Sequence, residues 1–430
     1  MSESRTTTAG ATPATAGGNR WVILVAAVLV QLAIGAVYAW SVFSKALQDQ
    51  GAFGWSKAQA TVPFEVAIGM IFIGSYIGGR IQDNRGPRIV ALTGGVIYSI
   101  GVIIASFARA DSFWILVLGY GVLGGFGLGM VYIVPIAMLQ KWFPDKPGLI
   151  TGIAVAGFGF GAVITAPVGQ ALIDGSPAVP TKAFLWLGIG YLVAILIGAS
   201  QFRNPVRPVV PAAEAGAAAG ATTAADPVRA RQFTAAEALR TPQWYLLTAI
   251  LTLSVLAGIS LISVAAGSAT DISGMSKVGA ASLVGVLAIF NGAGRVFWGW
   301  LSDIIGKMPA FLGILGIQGV CLLLIPHASS PALFAILAAL VYTCYGGAFG
   351  TMPSTAGQFF GVRFAGAIYG LMLVAWSLGG IIGPLLISKL IGDQKHYTLG
   401  FTVVGIIALV ALVVPLITRK PAERAEVATV

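Results

Sequence analysis

The chain has 430 residues, of which 57% are hydrophobic and 9% are charged, and its net charge at pH 7 is +10. A soluble domain carries about a quarter of charged residues, so this composition excludes a soluble protein and predicts a chain that crosses a membrane many times. A positive net charge can indicate a nucleic-acid partner. Here the bases fall mostly in loops between apolar segments, so we expect membrane topology to explain them and no nucleic acid to bind.

A polar stretch at residues 1–20 comes first, and we expect it to be a disordered cytoplasmic tail. Twelve apolar segments follow, each of roughly twenty residues or more, which is enough for a helix across a hydrocarbon core of about 30 Å. The predicted fold class is therefore an all-α membrane protein with twelve transmembrane helices. The predicted spans are 21–46, 58–79, 88–108, 112–139, 147–173, 182–202, 243–269, 278–301, 308–328, 331–357, 364–391 and 397–417.

The basic residues follow an alternating pattern along these spans. Roughly seventeen of the 25 Lys and Arg residues fall in the two tails and in every second loop. The positive-inside rule then places both termini in the cytoplasm, and we expect a multi-pass protein of the cytoplasmic membrane.

The segment between the sixth and seventh spans divides the chain. Residues 208–227 are rich in Ala, Gly, Thr and Pro and lack the apolar content of a folded domain. We therefore predict a cytoplasmic linker. The predicted limits are 21–203 for the first six-helix half, 204–242 for the linker, 243–418 for the second half and 419–430 for a cytoplasmic tail.

The two halves also share an internal repeat. The motif Gly-x-x-x-Asp-x-x-Gly at residues 79–86 recurs at residues 299–306, an offset of 220. Pro167 recurs as Pro384, an offset of 217. The repeat predicts two pseudo-symmetric halves, and the paired glycines are typical of tight turns between helices.

Two six-helix halves with basic glycine turns at matching positions resemble the major facilitator superfamily. The resemblance implies a central cavity between the halves and a rocking motion that opens this cavity to each side in turn. It also implies that Asp83, Arg88 and Asp303 fasten the cytoplasmic gate.

Arg295 lies inside the eighth span, where an arginine costs about 2.5 to 3.5 kcal/mol on insertion scales and therefore needs a partner. One interpretation is a structural ion pair with Glu65, an acid in the second span. The other is that the guanidinium holds an anionic substrate, because its planar fork matches a carboxylate. Asn291 lies one turn earlier on the same helix face and can add a hydrogen bond.

Two short motifs make the resemblance more specific, to one group within the superfamily. Trp-Phe-Pro-Asp-Lys at residues 142–146 and Asn-Gly-Ala-Gly-Arg at residues 291–295 are similar to the oxalate:formate antiporter and monocarboxylate transporter group. That resemblance implies that the arginine binds the carboxylate and that aromatic residues at equivalent points of the halves wall the cavity. Alternatively, these rings only pack helices together. The aromatic residues are Tyr38, Tyr132, Phe158, Tyr345, Phe349 and Trp376. The internal repeat relates two pairs of them, Tyr132 with Phe349 at an offset of 217 and Phe158 with Trp376 at an offset of 218.

Departures from the group indicate the substrate. The antiporter has a second cation, a lysine, where this chain has Trp376. One buried cation suits one carboxylate, so we expect a monocarboxylate such as lactate, pyruvate or formate rather than oxalate. Animal monocarboxylate transporters have an aspartate where this chain has Asn291, so an Asp–Arg proton pair is missing. A proton could move through Glu65 or with the substrate, and exchange of anions stays open as an alternative.

Other functions find little support in the sequence. No nucleophile, base and orienting group cluster together, so we do not expect an enzyme. Cys321 and Cys344 fall in apolar spans, and His327 and His396 fall in separate loops, so we expect no metal and no cofactor. A carboxylate-sensing membrane receptor remains an alternative from another class. We expect the protein to act as a monomer.

Overall fold

The structure is a computed structural model that describes residues 19–205, 232–392, 394 and 396–421. This part of the chain contains twelve helices that are long and apolar enough to cross a membrane, which confirms the predicted all-α fold. Most of both predicted tails and of the predicted linker lies outside the described residues. The helices, labelled α1 to α12, are Arg20–Gln48, Gln59–Arg85, Pro87–Ala105, Phe113–Trp142, Pro147–Asp174, Pro180–Ser200, Pro242–Ser273, Lys277–Ile305, Lys307–His327, Pro331–Phe360, Ala365–Ile391 and Tyr397–Ile417.

Helices α2 and α8 continue past their predicted ends at residues 79 and 301 to Arg85 and Ile305. Each stops at a glycine with positive φ, which is 90° at Gly86 and 95° at Gly306. Glycine has no Cβ and adopts this conformation without strain, so it ends a helix sharply. Hydropathy marks only the apolar part of a helix, whereas these glycines set the ends. Asp83 and Asp303 therefore lie in the last helical turns.

Two helices are interrupted in the middle of the bundle. In α1 the residues Gly35–Ala39 form a 3₁₀ turn, and in α11 the regular α-helix pauses at Leu373. Tyr38 lies within the first interruption, and Trp376 follows the second by three residues. These local changes in winding set the direction of two aromatic side chains near the middle of the molecule.

The two halves contact each other closely at the ends of the helices nearest the linker. A Cβ added to Gly79 in α2 would lie 2.2 Å from the carbonyl oxygen of Gly366 in α11. A Cβ added to Gly148 in α5 would lie 2.3 Å from the carbonyl oxygen of Gly299 in α8. Small residues let helix backbones approach this closely in membranes. The halves are thus closed against each other on the linker side.

The last part of the predicted linker is ordered against the second half. The Phe233 amide donates to the Phe360 carbonyl oxygen at 2.9 Å, and the two rings meet edge to face at 5.6 Å. Thr234 then caps a single helical turn, Ala235–Ala238. Phe233 is buried, and this burial explains why the segment is fixed before α7 begins.

Candidate functional site

Arg295 lies in the middle of α8 and is one of the largest fully buried side chains, with 1% of its surface exposed. Its backbone is held between two helices. A Cβ on Gly152 of α5 or on Gly350 of α10 would lie 2.3 and 2.2 Å, respectively, from the Arg295 carbonyl oxygen. Within the described part of the chain, no carboxylate lies within the 4.0 Å of its nitrogens that defines a salt bridge. The guanidinium is therefore a buried cation without an acidic partner there.

The hydrogen bonds of Arg295 use only part of its donor capacity. Nη1 donates to the Val155 carbonyl oxygen of α5 at 3.1 Å, which joins the two halves. Nε donates to Asn291 Oδ1 at 3.4 Å, a long bond to the amide that lies one turn earlier. Nη2 is buried and, among the described residues, makes no hydrogen bond of normal geometry, although the Tyr38 and Tyr132 hydroxyls lie close to the guanidinium. An unmet donor on a charged group is costly inside a protein, so this nitrogen is poised to bind an acceptor.

Aromatic rings from both halves surround the guanidinium. Arg295 Cζ lies 5.9 Å from the Phe158 ring centroid and 5.4 Å from that of Phe349, within the range of cation–π attraction. Trp376 contacts both of these rings at 6.0 and 5.2 Å. Tyr345 packs edge to face on Phe349 at 5.4 Å. The pairs that the internal repeat relates are thus brought together around one charge.

Tyr38 and Tyr132 of the first half complete an aromatic cage around Arg295. The other members of this cage are Phe158, Tyr345, Phe349 and Trp376. Their rings lie 5.2 and 5.0 Å from Phe158 and 6.4 and 6.2 Å from Trp376. Both hydroxyls lie near Arg295, yet both are buried and have no hydrogen-bond partner with normal geometry. The cage therefore holds unpaired polar groups beside an unpaired cationic nitrogen.

The expected small cavity is closed in this structure. Tyr132, Phe158, Phe349 and Trp376 are each no more than 3% exposed, and their rings contact one another. The guanidinium is therefore shielded from solvent, on the linker side and elsewhere. A ligand would fit here only if the rings moved apart.

Two polar residues of this region were missed from the sequence. The Tyr369 hydroxyl is buried, unpaired and near Tyr132. Gln31 donates to the Tyr132 carbonyl oxygen at 3.2 Å, and its own Oε1 is unpaired. Each lies seven residues, or two helical turns, before a predicted site residue, Trp376 and Tyr38. On a regular α-helix this spacing predicts a shared face, and it could have identified them from the sequence.

Glu65 does not lie where a counter-ion for Arg295 would be. Its side chain in α2 is exposed, and in the described residues it forms no ion pair. The structure therefore gives no support to the interpretation of Arg295 and Glu65 as a buried ion pair. A role of Glu65 in proton movement stays a prediction.

Asp303 connects α8 of the second half to α5 of the first. Its carboxylate accepts hydrogen bonds from the Gly148 and Leu149 amides at 3.0 and 2.9 Å, at the start of α5. Lys307 Nζ donates to the same carboxylate at 2.7 Å. A carboxylate is favourable at a helix N-terminus, where the first amides have no helical acceptor. This contact joins the two halves on the linker side, and the gating role of Asp303 stays a prediction.

Asp83 makes the equivalent contact between α2 and α11. Its carboxylate accepts from the Gly366 and Ala367 amides at 3.3 and 2.8 Å. Arg88, by contrast, donates to the Ser200 carbonyl oxygen within its own half. The two aspartates, related by the internal repeat, therefore bridge the halves, whereas the hydrogen bond of Arg88 to Ser200 does not.

The sequence was compared with known families and proteins. The Major Facilitator Superfamily profile matches residues 14–384. An oxalate:formate antiporter of Oxalobacter formigenes is 30% identical over 404 residues, covering 92% of this chain and 90% of that protein. Monocarboxylate transporter 13 of Rattus norvegicus is 28% identical over 404 residues, covering 90% of this chain and 86% of that protein.

A solved structure shares the architecture. The crystal structure of the major facilitator transporter FucP in the outward conformation superposes with a TM-score of 0.69. It covers 93% of this chain and all of that one at 16% identity, so the likeness concerns the fold. The match of the family profile over most of the chain, together with the twelve helices in two related halves, shows that this protein belongs to the major facilitator superfamily.

Proposed function

We propose that this transporter carries a small organic monocarboxylate, such as lactate, pyruvate or formate, across the cytoplasmic membrane by alternating access, in symport with a proton. The observation that carries the proposal is Nη2 of Arg295, a buried cationic donor that, among the described residues, makes no hydrogen bond of normal geometry and has no acid within 4.0 Å. A carboxylate oxygen would satisfy this nitrogen and neutralise the charge together. The relatives named for oxalate, formate and monocarboxylates support the substrate class.

The number of charges supports one carboxylate rather than two. Trp376 stands where the sequence resemblance leads us to expect the second cation of an oxalate carrier, and it is an uncharged wall of the cage. A second carboxylate would enter this apolar surrounding without a counter-ion, which is strongly unfavourable. The mutual contact of the rings also favours a substrate of few atoms.

The proposed site lies between the halves, as alternating access requires. Arg295 belongs to the second half, whereas Val155, Phe158 and Tyr132 belong to the first. The aspartate contacts seal the linker side, which the distribution of bases assigns to the cytoplasm. We infer that the cage next opens on the opposite side.

Uptake by proteoliposomes tests the substrate class. Arg295→Gln removes the charge but keeps a polar side chain, and we expect it to abolish saturable uptake of labelled lactate, pyruvate and formate. Arg419→Gln removes an exposed arginine beyond α12 and is the matched control. Both variants should elute as monodisperse protein with helical circular dichroism. Uptake by folded Arg295→Gln with wild-type affinity would refute the proposal.

Anion exchange is the second candidate, and one observation favours it. Within the described residues, no acid pairs with Arg295, so the site itself has no obvious proton carrier. Counterflow distinguishes the two modes. An exchanger takes up labelled anion only when the liposomes contain unlabelled anion, whereas a proton symporter also accumulates it in empty liposomes under an imposed pH gradient.

A further inference from the structure

A groove of about 510 Å³ lies on the membrane-facing surface between α1 and α6, away from the proposed substrate site. Its lining is almost wholly apolar. Trp21 and Val25 in the groove are 54% and 69% exposed, and Ile197 is 59% exposed. The lining residues are Trp21, Val22, Val25, Ala26, Leu29, Ile197, Gly198, Ser200 and Gln201.

The length of the groove along α1 is close to the thickness of one membrane leaflet. It begins at the first turn of α1, beside Arg20, and reaches Leu29. At a rise of about 1.5 Å per residue this is about 13 Å along the helix. Half of a hydrocarbon core of about 30 Å is about 15 Å. The groove is therefore long enough to reach from the membrane surface on the linker side to near the middle of the bilayer.

Three arginines belong to the chain segments that meet at the linker-side end of the groove. Arg88 donates to the carbonyl oxygen of Ser200, a lining residue, and Arg203 follows the last lining residue by two positions. Arg20 precedes Trp21, and its Cζ lies 5.4 Å from the Trp21 ring centroid and 4.9 Å from that of Phe143. All three side chains are exposed. An apolar channel that ends in a cluster of cations matches an acyl chain that ends in an anionic headgroup.

Among the described residues, Asp145 is the acid that pairs with one of these arginines. Arg20 Nη1 lies 3.4 Å from Asp145 Oδ1, and their side chains are 44% and 49% exposed. Exposed ion pairs of this kind are weak and leave the other guanidinium nitrogens accessible. With three arginines and one aspartate, this end of the groove keeps a net positive charge.

We propose that this groove binds one anionic phospholipid of the linker-side leaflet, with an acyl chain along α1 and α6 and the phosphate at Arg20, Arg88 and Arg203. The indole of Trp21 lies between the apolar channel and the arginines, where amphipathic aromatic rings are favoured in membranes. This site is independent of the proposed substrate and transport mode.

Photo-crosslinking of the full-length protein in nanodiscs tests the proposal. The probe is phosphatidylglycerol with a diazirine in its acyl chain, compared with phosphatidylcholine that carries the same group. We expect phosphatidylglycerol to label the peptides of residues 20–29 and 197–201 at least fivefold more strongly than phosphatidylcholine. Equal labelling by the two lipids would mean contact with bulk lipid only, and would overturn the proposal.

Two sets of variants test the apolar part of the groove and its arginine end independently. Val25→Trp or Ile197→Trp fills the groove and should remove the labelling, whereas Leu416→Trp, on a 65% exposed position of α12, should leave it unchanged. The double variant Arg20→Gln, Arg203→Gln should bring the labelling by phosphatidylglycerol down to that by phosphatidylcholine. Arg419→Gln is its control. Labelling that persists in both groove-filling variants, or that keeps its lipid preference without the two arginines, would contradict the assigned site.

Discussion

Ser75 in α2 occupies the backbone position that Arg295 occupies in α8, at the offset of 220 that relates the glycine turns. A Cβ on Gly370 would lie 2.6 Å from the Ser75 carbonyl oxygen, just as a Cβ on Gly152 would lie 2.3 Å from that of Arg295. The side chains differ, because Ser75 Oγ donates to the Gly129 carbonyl oxygen at 2.9 Å and carries no charge. The two helix contacts are equivalent, but only the residue of the second half carries a charge, so the centre of the molecule is asymmetric.

Replacement of Arg295 by lysine tests whether charge alone is sufficient. Lysine keeps the cation but has one nitrogen, which cannot serve Val155, Asn291 and a substrate oxygen in the fixed directions of a guanidinium. We expect Arg295→Lys to weaken substrate affinity by at least about tenfold, which is about 1.4 kcal/mol of binding free energy. Initial uptake rates over a range of substrate concentrations measure this change. Affinity within twofold of wild type would show that the fork geometry is unimportant.

The glycine beside Arg295 should be needed for packing. The Cβ of Gly152→Ala would overlap the Arg295 carbonyl oxygen, so α5 and α8 must separate. We expect a loss of about 1–3 kcal/mol of stability, as in other overpacked cores, seen as a lower melting temperature. Gly190→Ala in α6 is the control, because a Cβ there has nothing within 4 Å. Equal melting temperatures for the two variants would contradict the close contact.

The unpaired tyrosine hydroxyls should act on the substrate rather than on stability. Tyr132→Phe and Tyr369→Phe remove buried hydroxyls that have no partner, so we expect melting temperatures at or above wild type without substrate. Hydrogen bonds to charged groups contribute about 1.5–3 kcal/mol, so substrate affinity should fall about tenfold or more. Tyr342→Phe removes another buried, unpaired hydroxyl in a separate core cluster and should not change affinity. A loss of affinity in all three variants would indicate a general effect of hydroxyl removal.

Lys307 and Asp303 should act as a unit at the linker-side contact. The Lys307 side chain is 3% exposed, so Asp303→Asn leaves a buried ammonium without its carboxylate. Breaking a fully buried pair costs about 3–5 kcal/mol, and less is expected here because Asp303 is 17% exposed. Adding Lys307→Met should restore part of the melting temperature. A double variant no more stable than Asp303→Asn would show that the two residues are not coupled.

Hydropathy and the internal repeat predicted the architecture, because both can be read directly from the order of residue types in the sequence. The twelve spans follow from apolar segments, and the offset of 217 paired Tyr132 with Phe349, which the structure places in one cage. The i−4 spacing identified Asn291 as a neighbour of Arg295, at 3.4 Å.

The remaining features depend on the arrangement of the two halves in space. The hydrogen bond from Arg295 to Val155 uses a backbone carbonyl, which every residue has, so the residue type at position 155 does not indicate it. Glu65 looked like a buried acid because it lies in an apolar span, but sequence alone did not tell which face of α2 it occupies. The closed state of the cage could not be predicted either, since ring contacts between halves depend on the conformation of the carrier.

The Arg295–Val155 bond makes the proposed substrate site part of the contact between the halves. If the cage opens by separating α5 from α8, an empty carrier loses this bond and leaves Nη1 as well as Nη2 without an acceptor. Bound carboxylate supplies oxygens to both nitrogens during the same movement. We therefore expect reorientation to be faster with cargo than without, so that equilibrium exchange across the membrane outpaces net efflux from preloaded vesicles.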